Sequence, residues 1–263
     1  MTPSVWTLLL HGWLFAVALL FVLWVVERIK EDAGVVDLGW TIGVGVLAIY
    51  DAIRADGYAP RRVLVALLAG TWSFRLAAYI LLDRVMKEHE DGRYRELREY
   101  WGERAHFNFF WFFESQSLLI VIFSVPMLVI AFDPTPGLGL REVVGVAIWL
   151  VSVGGESLAD RQLARFRADP STKGQVCQVG LWRYSRHPNY FFEWIHWWAY
   201  VAIGWGAPHG WVTLVGPALM LLFLFKLTGI PATEKHSLKS RGEAYRRYRE
   251  STSAFVPWFP KAR

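Results

Sequence analysis

The sequence predicts an all-α, polytopic membrane protein, and three observations carry that prediction. Hydrophobic residues make up 54% of the chain and are gathered into long blocks. Charged residues make up 19%, below the roughly 25% of a soluble domain. Seven blocks reach a bilayer-spanning length: 6–26, 36–53, 62–82, 116–132, 143–158, 189–205 and 210–230. Together they predict a single integral-membrane domain over residues 1–263.

Each span has its own signature. The first opens at Val5 and Trp6, with no basic stretch before it and no small-residue cleavage site after it, so it reads as a retained helix and not a signal peptide. The second begins Val-Val-Asp-Leu-Gly-Trp at 35–40 and carries Asp37 in its first turn. Arg75 lies midway along the third. The fifth has the weakest signal, being short and holding Gly154, Gly155 and Glu156. The sixth starts behind Pro188, which suits a first helical turn, and holds Glu193. Between spans, Asp-Pro-Thr-Pro-Gly at 133–137 and Ala-Pro-His-Gly at 207–210 read as tight turns. Segment 83–115 mixes both charge signs as on a solvated helix face, and its aromatic run 107–113 suits a membrane interface. The tail 232–248 reads as a polar helix broken near Gly242. The Pro-punctuated apolar end 255–260 cannot continue a helix and is expected to fold back.

Charge sets the expected orientation. Lys and Arg crowd 27–35, 83–115, 159–188 and the tail after 231, whereas the opposite side holds Arg54, Arg61, Arg62 and Arg141. The positive-inside rule then places the N-terminus outside and the C-terminus in the cytoplasm. The formal net charge of +5 follows from that topology and from anionic headgroups; it requires no nucleic acid. The one cysteine, Cys177, excludes an intramolecular disulfide and a Cys-based metal site. The His residues are dispersed and give no metal-ligand spacing. No Walker loop, no His-Glu-x-x-His and no Gly-rich dinucleotide fingerprint is present.

Chemistry concentrates in four places. The densest is 180–193, where Arg183, Arg186, His187, Asn189 and Glu193 sit at the mouth of an apolar helix. Polar groups at such depth are costly and mark function by default. A helix N-terminus there would aim free N–H groups at an anion, and the arginine forks suit phosphate; an interfacial anchor is the plainer alternative. The second is Asp160, at the end of the fifth span, read either as a ligand group or as one half of a local ion pair. The third is the intramembrane set Asp37, Arg75 and Glu193, which suggests a polar cavity or a structural Asp37–Arg75 pair. A buried carboxyl there could stay protonated and donate a hydrogen bond to a ketone. The fourth joins Glu-Asp-Gly-Arg-Tyr-Arg at 90–95 with Glu-Lys-His at 234–236, read as segments that close over a ligand or as solvated loops.

These residues carry a family resemblance. Gly-Leu-Trp-Arg-Tyr-Ser-Arg-His-Pro-Asn-Tyr at 180–190 with Glu193, the Gly-Glu-x-Tyr-x-x-Tyr of 242–248 and the Val-Pro-Trp-Phe-Pro of 256–260 resemble the steroid 5-alpha-reductase family. Glu-Asp-Gly-Arg-Tyr at 90–94 and Gln116 resemble its bacterial members. The resemblance covers nearly the whole chain and agrees in span count. It implies NADPH-dependent reduction of the 4,5 double bond of a 3-oxo-4-ene steroid or a related enone lipid. NADPH would arrive from the cytoplasm and the substrate from the bilayer, in a monomer of the bacterial inner membrane. By motif position, Asn189 and Glu193 would lie near the nicotinamide. Asp160, Arg167, Arg75, Arg84, Arg183, Tyr184, Arg186 and His187 would hold ribose and phosphates. Arg93, Tyr94, Lys173, Tyr190, Glu234 and His236 complete the expected cofactor set. Animal members hold the steroid ketone with a Gln-Glu pair on the second span and a Tyr on the third. Here Asp37 matches the acid, Val36 stands where Gln would, and Trp72 is nearest the Tyr, with Tyr79 two turns on. The resemblance therefore implies Asp37, Glu193 and Tyr79 as catalytic groups, with Trp40, Trp72 and Gln116 against the steroid. The same superfamily holds isoprenylcysteine carboxyl methyltransferases, so an S-adenosylmethionine-dependent membrane methyltransferase is one alternative. A non-catalytic sterol-binding protein is another.

Overall fold

The computed structural model describes residues 3–86, 90–227 and 229–261, apart from the Arg84 side chain. The chain is helical, and no strand forms among these residues. In order, the helices are α1 (Val5–Lys30), α2 (Val35–Arg54), α3 (Ala59–Ile80), α4 (Gly92–Trp101), α5 (Ala105–Ala131), α6 (Leu140–Ala168), α7 (Pro188–Gly204), α8 (Val215–Leu222) and α9 (Ile230–Ser251). The chain divides into two compact units: Met1–Val143 with Tyr200–Gly216, and Val144–Ala199 with Pro217–Arg263.

Six helical stretches among the described residues are long and apolar enough to cross a membrane: Val5–Lys30, Val35–Arg54, Ala59–Asp83, Gly92–Ala131, Leu140–Ala168 and Gly210–Ser251. They mark an integral membrane protein. The stretch expected at 189–205 forms α7, of 17 residues, which is not one of these six. At 1.5 Å per residue that is about 25 Å, short of a hydrocarbon core of about 30 Å. Pro188 opens this helix and Gly204 ends it. The span with the weakest sequence signal, by contrast, is a 29-residue helix, α6.

In the first unit, α1 buries Leu8, Gly12, Ala16 and Leu20, one residue per turn. Glu27 is buried near its end, and much of its apolar surface between is exposed, as lipid contact allows. Ser4 caps its start, accepting from the Thr7 amide at 3.2 Å; Arg28 and Lys30 sit at its negative dipole end. Helix α2 works through small residues. A Cβ on Gly39 would meet Leu23 at 2.2 Å, and one on Gly43 would meet Ile120 at 2.7 Å. These glycines let α1 and α5 approach closely, the usual device where water supplies no drive for helix association. Within segment 83–115, residues 92–101 form α4 and α5 begins at Ala105. The aromatic run 107–113 therefore belongs to the long α5 helix.

One end of this unit is tied by buried charge. Arg61, 1% exposed, pairs with Glu142 at 2.7 Å and Asp133 at 3.2 Å. It also donates to the carbonyls of Asp133, Thr135 and Gly137. Arg141 reaches the same two carboxylates at 2.5 and 2.9 Å. Burial opposes ionisation of Asp133, but hydrogen bonds from Thr135 and Arg141 outweigh it and hold the carboxyl below the usual range.

In the second unit, α9 breaks where expected, at Gly242 with φ 52° and ψ −124°. The chain end folds back as expected. The Arg186 amide donates to the Ser253 carbonyl and the Trp258 amide to the Tyr184 carbonyl, both at 2.9 Å. Ser185 Oγ donates to the Phe255 carbonyl at 2.8 Å.

Candidate functional site

The first unit gathers its polar side chains at the start of α2. The Glu-Asp-Gly-Arg-Tyr segment builds this cluster because Asp91 caps α4, accepting from the Arg93 amide at 3.0 Å. The first turn of α4 then aims two residues at Asp37. Tyr94 donates its phenol to Asp37 Oδ1 at 2.7 Å, and Arg93 donates to Oδ2 at 2.8 Å. Arg93 also grips Asp91 at 3.1 Å. A turn later, Arg98 pairs with Glu27 and Glu90, each at 2.8 Å, and Glu90 accepts from the Ala33 amide at 2.9 Å. The segment is therefore a strap bound by charge to the ends of α1 and α2, not a solvated loop.

Both Asp37 carboxyl oxygens accept from donors on the first turn of α4. Arg93 and Tyr94, expected to serve a cofactor, both lie on Asp37, the expected catalytic acid. Asp32, at the edge of the cluster, has its carboxyl pushed up by burial and by the nearby Glu90 and Asp91 charges, against the Gly34 amide and Arg98. One turn beyond Asp37, Trp40 packs edge-on against Trp72 and Phe123, with ring centroids 6.1 and 5.2 Å apart. Of the expected substrate contacts, Trp40 and Trp72 therefore touch one another, and Trp72 is fully buried. Gln116 lies half-buried on α5, and Arg75 and Tyr79 half-buried on the last turns of α3. The Arg84 side chain lies outside the described residues.

The second unit holds the 180–193 motif. Residues Gly180–Arg183 form a short turn pinned to α6. The Leu181 amide donates to Gln162 Oε1 and Trp182 Nε1 to the Ala159 carbonyl, both at 2.9 Å. Gly180 has φ 56° and lies so close to Gln162 that a Cβ would meet its amide at 2.2 Å. Helix α7 then packs tightly on α6: a Cβ on Gly155 would strike the Phe192 ring at 2.5 Å. Asn189 donates to Asp160 at 3.3 Å across this contact. Asp160, Glu156, Glu193 and His196 are all buried. Spacing of i, i+4 puts Glu156 with Asp160 on one stripe of α6 and Asn189 with Glu193 on one stripe of α7. Trp197 Nε1 donates to Glu193 at 3.2 Å. The result is a polar row inside two apolar helices.

At the mouth of that row the motif is fastened to α9. Arg186 grips Glu234 at 2.7 Å and donates to the carbonyls of Arg249 and Thr252 at 2.9 and 2.6 Å. His187 stacks on Tyr190 with ring centroids 5.3 Å apart and lies 3.5 Å from Glu234. Burial lowers the His187 imidazole from its ordinary value, outweighing the Glu234 carboxylate. Tyr190 meets Thr233 at 3.2 Å. Arg186 and Glu234, both expected at a nucleotide, are thus joined to each other. Arg167, Lys173, Arg183 and His236 are exposed. Tyr184 packs edge-on against Phe259. No cluster of three or more His, Cys, Asp or Glu able to hold a metal occurs among the described residues.

Sequence reasoning missed Glu27, the Glu90–Arg98 pair and His196. The i, i+4 spacing of Glu156 and Asp160 was the signal available for the polar row; the charge pairs join positions too distant in sequence to carry one.

A family profile matches residues 23–252, spanning both clusters, and its description is "Protein of unknown function (DUF1295)". The chain belongs to this family. No curated protein and no solved structure matches it. As a DUF1295 member, the protein has its motif 180–193, Asp37 and the α4 strap all inside the matched region.

Proposed function

We propose that this DUF1295 protein is a membrane-embedded, NADPH-dependent reductase of the 4,5 double bond of a 3-oxo-4-ene steroid or a related enone lipid. The observation that carries the reading is the polar row of buried Glu156, Asp160 and Glu193 with half-buried Asn189, set behind the Arg-His-Pro-Asn-Tyr motif in otherwise apolar helices. Groups so costly to bury call for a polar ligand. The resemblance to steroid 5-alpha-reductases supplies the ligand's identity. In this reading α7 counts as a seventh crossing, the N-terminus lies outside, the C-terminus is cytoplasmic, and a monomer works in the bacterial inner membrane.

The residues fit the cofactor in part. Asn189 and the carboxylates of Asp160 and Glu193 supply donors and acceptors for a carboxamide and ribose hydroxyls. The exposed Arg167 and Lys173 suit phosphates. Arg186 does not fit, because Glu234 and two carbonyls take its donors. NADPH, when bound, would supply a hydride to the β carbon of the enone. Negative charge then grows on the substrate carbonyl oxygen, and a preorganised donor there lowers the barrier. Tyr94 is the proton carrier of the first unit's cluster, with Asp37 and Arg93 orienting it.

Purified protein in lipid nanodiscs tests the reading. NADPH, and not S-adenosylmethionine, should raise the thermal midpoint, because a ligand of the folded state stabilises it. Addition of a 3-oxo-4-ene steroid should then consume NADPH. Stabilisation by S-adenosylmethionine alone would replace the reductase with a methyltransferase. Binding of sterol without either cofactor would leave a sterol-binding protein.

A further inference from the structure

Residues 253–261 form a pinned hook with two strongly exposed aromatic side chains. Trp258 and Phe259 are 70% and 76% exposed, and Val256 is exposed beside them. Such exposure normally accompanies a loose terminus, yet this backbone is pinned. The Trp258 amide donates to the Tyr184 carbonyl and the Lys261 amide to the Ser251 carbonyl, both at 2.9 Å. Pro257 and Pro260 fix φ on either side of the pair. The hook is thus preorganised to present the two rings.

Its depth follows from Phe255. This buried ring packs against Phe191 and Trp194, in the first two turns of α7, at 5.6 and 5.7 Å. It packs against Phe225 at 5.1 Å, within the membrane-length stretch Gly210–Ser251. The next residues therefore leave the protein where apolar helices give way to the polar α9. That level is the headgroup region, where Trp is enriched in membrane proteins. Two exposed cations are near in sequence: Arg183, next to the Tyr184 that packs on Phe259, and Lys261, two residues after Phe259.

We propose that residues 253–261 are an interfacial anchor that inserts Trp258 and Phe259 among lipid headgroups, with Arg183 and Lys261 meeting the phosphates of anionic lipid. The occupant of this apolar surface is the bilayer itself. The anchor stands independently of the reductase reading.

The test uses full-length protein carrying Val256→Cys, labelled with an environment-sensitive fluorophore. It is reconstituted in phosphatidylcholine–phosphatidylglycerol bilayers. Lipids spin-labelled near the headgroup should quench the probe several-fold more than aqueous iodide does. Adding Trp258→Ser and Phe259→Ser should reverse that ratio while the thermal midpoint holds. Pure phosphatidylcholine, or Arg183→Gln with Lys261→Gln, should weaken the lipid quenching. Stronger quenching by iodide in the parent protein would overturn the anchor. So would a probe shielded from both quenchers in a particle of doubled mass, because a second copy would then cover the hook. Lipid quenching indifferent to both phosphatidylglycerol and the two cations would overturn the anionic component.

Discussion

Arg186→Ala separates a structural from a ligand role for the motif at 180–193. The guanidinium and Glu234 are 10% and 11% exposed, and their contact is 2.7 Å. Removing one partner of a buried pair typically costs about 3–5 kcal/mol, because the other charge stays buried. Two features push toward the lower figure: Glu234 keeps Arg249 at 3.3 Å and His187 at 3.5 Å. Against that, the Arg249 and Thr252 carbonyls lose their donor. A loss of about 3 kcal/mol lowers the midpoint by about 6–12 °C for a chain of this size. Differential scanning fluorimetry in nanodiscs, with no nucleotide present, reads this directly. The midpoint should fall as stated, while NADPH raises it by the same increment in variant and parent. An unchanged nucleotide-free midpoint combined with a lost NADPH increment would refute the argument and make Arg186 a cofactor ligand.

Three further outcomes follow from the same geometry. Tyr94→Phe and Asp37→Asn should each lower steroid-dependent NADPH oxidation by about a hundredfold or more, the range of a lost acid catalyst, with the NADPH-induced midpoint shift retained; parent-level turnover in both would remove the cluster from the reaction. Because burial lowers the His187 imidazole, the unfolded chain binds its proton first as pH falls. The stability His187 contributes is then full above about 6.5, its unfolded value, and is lost as pH drops through the folded value. The midpoint of the parent should fall more steeply as pH drops below about 6.5 than that of His187→Gln; parallel curves would contradict the shift. Arg61→Ala should cost about 3 kcal/mol, measured as a lower midpoint, because Asp133 and Glu142 remain buried with only Arg141 beside them.

The helical membrane class was legible without any tertiary information, because hydropathy is local and a span is a contiguous run of residues. The break at Gly242 and the fold-back after Phe255 were legible for the same reason, since Gly and Pro act on their own backbone. The polar row was half legible: Asp160, Asn189 and Glu193 stood out as charge or amide beside apolar runs, whereas buried His196 drew no notice among aromatic neighbours. The strap around Asp37 was not legible: residues 90–95 read as a segment that closes over a ligand or as a solvated loop, and nothing in them announces a partner 57 positions away.

The sequence by itself therefore determined the class, the apolar helices and the places where polar groups interrupt them, all of which depend on neighbours within a few turns. Only the tertiary structure decided what those groups do. It put Tyr94 and Arg93 on Asp37 and joined Arg186 to Glu234. Ion pairs and hydrogen bonds are made between side chains brought close by packing, so their partners follow from three-dimensional distance and not from order along the chain.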